Sequence, residues 1–69
     1  MTYIALFRNG RDLRQYRMVQ EPDVDKLLTF AHAGDTLHKV PEEFTHQAAD
    51  VMQVVKEQLA MGPEHYVQI

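Results

Sequence analysis

The sequence predicts an α+β fold, a small antiparallel sheet made from an N-terminal β-hairpin and a C-terminal strand, covered on one face by two helices. Three observations carry this expectation. An aromatic and aliphatic run at the N-terminus meets an Asn-Gly pair. Two stretches of helical periodicity follow, each introduced by proline beside acidic residues. A Gly-Pro pair then stops the second stretch ahead of a weakly alternating tail. One compact domain over 1–69 is expected.

The hairpin is predicted over 2–19. Thr2 to Arg8 has strand composition, and Asn9-Gly10 supplies the two positive-φ positions of a type I′ turn. Leu13 to Val19 returns as the second strand. A two-residue turn sets Leu6 against Leu13, Tyr3 against Tyr16 and Arg8 against Arg11. A longer, bulged loop is the alternative, with a different register.

A helix is expected over about 22–33. Pro22 suits its first position and Asp23 its positive dipole end. Val24, Leu27, Leu28 and Ala31 recur at helical spacing, and Gly34 ends the run. Residues 35–40, "DTLHKV", read as a loop or a short edge strand. Pro41-Glu42-Glu43 opens a second helix over about 41–61, with Phe44, Ala48, Val51, Val55 and Leu59 as its apolar stripe and Gly62-Pro63 as its stop. His65 to Ile69 is a candidate last strand.

Composition narrows the function. With 69 residues and no cysteine, the chain has neither disulfides nor a thiolate metal site to reinforce a small core. A well-packed core and self-association are what remain, so a homodimer is expected. The apolar opening ends at Arg8 without the architecture of an export signal, and no apolar run approaches the ~20 residues of a membrane span. A soluble, cytoplasmic protein with no membrane partner is the expectation.

Little chemistry is on offer. His32, His38, His46 and His65 fall in four different segments, without the spacing of a zinc site, and read as surface or capping residues. There is no serine, and the glycines are isolated, so neither a serine nucleophile nor a phosphate-cradling loop is present. Glu42-Glu43 and Asp23/Asp25 are explained by helix dipoles. A chain this short is also hard put to enclose a pocket of ~300 Å³. No enzyme, cofactor or metal is expected.

Charge is the informative feature. Residues 8–17, "RNGRDLRQYR", hold four of the seven Lys and Arg residues. Residues 1–20 carry a net +3 and residues 21–69 a net −6, together the chain's −3. Either the arginines pair with acids of the covering helices, or they contact a partner. Arg14 and Arg17 cannot both point inward on a regular strand, so part of this charge faces solvent.

The reading that follows is a small non-enzymatic protein-interaction module, an inhibitor, adaptor or regulator of a larger protein, of the kind bacteria and their phages encode. Its contact surface is assigned to Arg8, Arg11, Arg14 and Arg17 with Tyr16, since arginine suits bidentate and stacking contacts. The alternative is a regulator that contacts DNA or RNA through the same hairpin. The acidity of the remaining chain opposes it, because such binding rests on phosphate neutralisation.

Overall fold

A computed structural model describes residues 1–8 and 15–69. Four strands make one antiparallel sheet in the order β2-β1-β3-β4: β1 Thr2–Phe7, β2 Tyr16–Gln20, β3 Thr36–Pro41 and β4 Val67–Gln68. Two α-helices accompany it, α1 Val24–Leu28 and α2 Ala48–Met61, with 3-10 turns at Glu21–Asp23, Glu42–Phe44 and Pro63–His65. The α+β class and the antiparallel sheet are as the sequence predicts, and the tail does add a short last strand.

The helices are distributed differently. In β1 the apolar run Ile4-Ala5-Leu6-Phe7 is continuous, and all four residues are buried. Adjacent strand residues point to opposite faces, so the strand needs cover on both. Ala5 and Phe7 pack with Val40 of β3 and with Val51 and Val55 of α2. Ile4 and Leu6 pack with Leu27 of α1, flanked by Val19, Val24, Ala31 and Leu37. The helices therefore lie on opposite faces of the sheet, not together on one. An unbroken apolar strand, rather than an alternating one, is the signature of burial on both sides.

The hairpin register also differs. Leu6 stands opposite Arg17, Phe7 opposite Tyr16 and Tyr3 opposite Gln20. Relative to the expected pairing, β2 is displaced by four residues. That is an even shift, so the described residues of β2 keep the faces that the two-residue-turn pairing would give them. The Asn9-Gly10 turn, with Arg11 and Leu13, lies outside the described residues.

"DTLHKV" is neither a loop nor an edge. It forms most of β3, held between β1 and β4. Pro41 closes that strand opposite Thr2 instead of opening a helix. Thr45 then caps the following turn, its Oγ1 donating to Glu42 O at 2.7 Å. Gln47 is extended, which delays α2 until Ala48. Of the expected stripe only Val51 and Val55 are buried, whereas Phe44, Ala48 and Leu59 are exposed. The first helix is likewise shorter than 22–33. Thr29 Oγ1 donates to Lys26 O at 2.8 Å, and Phe30 N bonds back to Leu27 O, tightening the end into a turn. His32 N then donates to the Asp35 carboxylate at 2.9 Å. At the other end Gly62 does stop α2, with φ 117 and ψ 173.

His38 is a second correction of kind. Instead of lying on the surface it is fully buried on the α2 face, edge-on to Phe7 and stacked on Tyr66. Gln58 Nε2 donates to Lys39 O at 2.8 Å, which turns its Oε1 toward His38. The imidazole therefore donates from Nδ1, and Nε2 accepts from Thr36 Oγ1 at 2.7 Å. This network fastens the C-terminal half of α2 to β3. Burial lowers the His38 pKa below its ordinary value, only partly opposed by the Gln58 hydrogen bond.

Two predictions follow from this packing. Gly62→Ala should destabilise the protein by about 1–3 kcal/mol in chemical denaturation, because that φ and ψ combination is close to glycine-only. As pH falls below ~6.5, the unfolded chain takes up a proton that folded His38 resists, so stability should decline toward acid. His38→Gln should lack that part of the decline, seen as a shallower dependence of Tm on pH between about 7 and 5.

Candidate interaction surface

Arg8 follows β1, and Asp35 precedes β3, so the two extend the β1–β3 pairing at its end. The Arg8 guanidinium reaches the Asp35 carboxylate at 3.3 Å, and that carboxylate is 1 % exposed. Asp35 also accepts from His32 N. Arg8 thus neutralises a buried acid of its own chain, though one in a loop and not on a helix.

Arg17 lies on the α1 face, opposite Leu6. Its guanidinium sits 3.9 Å from the centroid of the Phe30 ring, a cation–π contact. Tyr16 is on the other face, half-buried and stacked on Phe7 with centroids 5.0 Å apart. Arg11 and Arg14 lie outside the described residues. Among the hairpin residues that are described, the structure brings no cluster together: Arg8, Tyr16 and Arg17 each have a different intramolecular partner.

What sequence reasoning missed is a surface on the α1 face. With only five residues, α1 covers the β2–β1 half of that face, and among the described residues the β3–β4 half is left open. Leu37 and Val67 stand opposite each other in the ladder and so share this face. Leu37 is half-buried against the α1 cluster, while Val67 is 59 % exposed. Together with Lys39, Glu64, His65 and Tyr66 they line a shallow groove of about 250 Å³. Ile69 and Phe30 add further exposed apolar surface, Phe30 at the β2 end of the same face. The rim is of mixed sign, with Lys39 bound to Glu21 at 3.6 Å and His65 beside Glu64 at 3.9 Å. The alternation in "DTLHKV", with Leu37 and Lys39 on one face and His38 and Val40 on the other, is the signal that identifies β3 as this surface's floor.

The arginine assignments are separable by stability. Arg8→Gln removes a charged partner from a buried carboxylate and should cost about 1–3 kcal/mol. Arg17→Gln removes an exposed cation–π contact and should cost less than about 1 kcal/mol. Paired urea denaturation curves check the order.

Compared with protein-family models, with curated proteins and with solved structures, the chain matches none of them.

Proposed function

We propose that this chain is a small non-enzymatic protein-interaction module, a cytoplasmic inhibitor, adaptor or regulator that docks on a larger protein through the uncovered half of its α1 face. The observation that carries the reading is the mismatch between sheet and cover. Four strands present the face, and a five-residue helix covers only part of it. Exposed Val67 and half-buried Leu37 are left at the centre, with Lys39 and Glu64 beside them. An apolar centre with a rim of both charges matches the anatomy of a protein–protein contact. It does not match a nucleic-acid site, which asks for a concentration of positive charge.

The disposition of the arginines supports the same choice. Arg8 offsets Asp35 and Arg17 lies on Phe30, so both described hairpin arginines already have partners within the chain. No described helix is long and apolar enough to cross a membrane, so the partner is not sought in a bilayer.

Tagged wild-type protein and Val67→Asp should be compared in pull-downs from nuclease-treated host lysate. Wild type should retain a protein that Val67→Asp loses, with both variants melting alike because Val67 is exposed. Equal capture by both would move the contact elsewhere. Capture abolished by nuclease, with affinity falling log-linearly in salt, would replace this reading with the nucleic-acid one.

A further inference from the structure

β2 is the end strand of the sheet, with β1 as its only neighbour among the described residues. The direction of its backbone groups follows from one hydrogen bond. Gln58 Nε2 reaches Lys39 O, so Lys39 turns its carbonyl away from β1. Alternate residues of a strand direct their N–H and C=O to opposite sides. Carried through the register, Ile4 and Leu6 bond to Val19 and Arg17, and Tyr16, Met18 and Gln20 direct their N–H and C=O groups outward.

Among the described residues this edge lacks the usual protection. It contains no proline, its pairing with β1 has no bulge, and its single charge, Arg17, is folded onto Phe30. Such an edge is a template for another strand. We propose that the occupant is β2 of a second copy, paired antiparallel about Met18, so that two sheets join into one of eight strands, twice the four of each chain.

Self-complementarity selects the second copy and its register. With Met18 opposite its counterpart, Tyr16 meets Gln20 of the mate and all three outward residues are used, for about six interchain hydrogen bonds. A slip of two residues one way sets Arg17 against the other Arg17. The same slip the other way sets Tyr16 against Pro22, which has no N–H. Odd slips oppose outward groups to inward ones. In the favoured register Arg17 lies across from Val19, with Glu21 of the mate next on the same face. Glu21 is half-exposed and, among the described residues, is paired with exposed Lys39, so it is accessible to Arg17. A parallel arrangement would invert one sheet relative to the other, so that Arg17 and Glu21 of the mate would fall on opposite faces. The joint also covers apolar surface, with half-buried Met18 doubled on the α2 face and Phe30, 45 % exposed, on the other.

The test combines mass, exchange and one substitution. Sedimentation of wild type should show a species of twice the 8.0 kDa chain mass that dissociates on dilution. Amide exchange at Tyr16, Met18 and Gln20 should slow as that species forms. Gln20 has φ −65, already suited to proline, its side chain is exposed and its N–H points outward. Gln20→Pro should therefore keep the fold and raise the dimer dissociation constant by roughly tenfold or more, while Gln20→Ala should not. A single 8.0 kDa species at every concentration would overturn the proposal. So would a dimer in which those three amides stay unprotected, or one that Gln20→Pro leaves unchanged. If Gln20→Pro unfolds, the wild-type exchange pattern decides alone. None of these outcomes bears on Val67, so failure here leaves the partner surface standing.

Discussion

Everything in this molecule hangs on a strand that must be covered twice. Ile4, Ala5, Leu6 and Phe7 present apolar side chains to both faces of the sheet, and water must be excluded from each. A 69-residue chain meets that demand by dividing its core. Ala5, Phe7, Val40, Val51 and Val55 form one layer, and Ile4, Leu6 and Leu27 the other. Two thin layers leave more edge than one thick layer. Exposed Phe30, Leu59 and Val67 are the consequence at the margins of the two layers. The same economy that builds the fold thus leaves apolar surface exposed, and it explains why, among the described residues, the open part of the sheet lies beside the shorter helix.

Polar groups are buried only where they lock segments together. His38 sits in the larger layer because Gln58 and Thr36 satisfy both ring nitrogens while Phe7 and Tyr66 enclose the ring. Asp35 is buried at the start of β3, where Arg8 and the His32 amide reach it. Its backbone carbonyl accepts from Ile69 N at 2.9 Å, so the same corner holds the last residue of the chain. Among the described residues no buried side-chain nitrogen or oxygen lacks a hydrogen-bond partner. A buried polar group without one would cost more than such a small core could offset. Arg8 is accordingly part of the framework.

Local signals were read from the sequence where a single segment dictates its own conformation. The opening strand, the return of the chain as β2, the glycine stop at Gly62 and the inward-facing Val51 and Val55 were all legible this way. Failures came where two segments compete for a residue. Pro41 suits a helix start but is held in β3 by its pairing with Thr2. Leu59 keeps helical spacing with Val51 and Val55, yet it is exposed. His38 reads as polar, and it is Phe7, Gln58 and Tyr66, from distant parts of the chain, that with nearby Thr36 make its burial tolerable. The candidate surface was invisible for the same reason. Leu37 and Val67 lie far apart in sequence and become neighbours only through the ladder.

By itself, then, the sequence determined the class of the fold, the order of its main elements, and the separation of basic from acidic halves. These depend on periodicity, turn chemistry and charge, which are properties of neighbouring residues. The tertiary structure alone decided that the helices take opposite faces, that residues 36–41 form an interior strand, and that Arg8 and Arg17 find partners within the chain. Each of those outcomes depends on which surfaces exclude water from one another. That is a property of residues distant in sequence, and no local pattern encodes it.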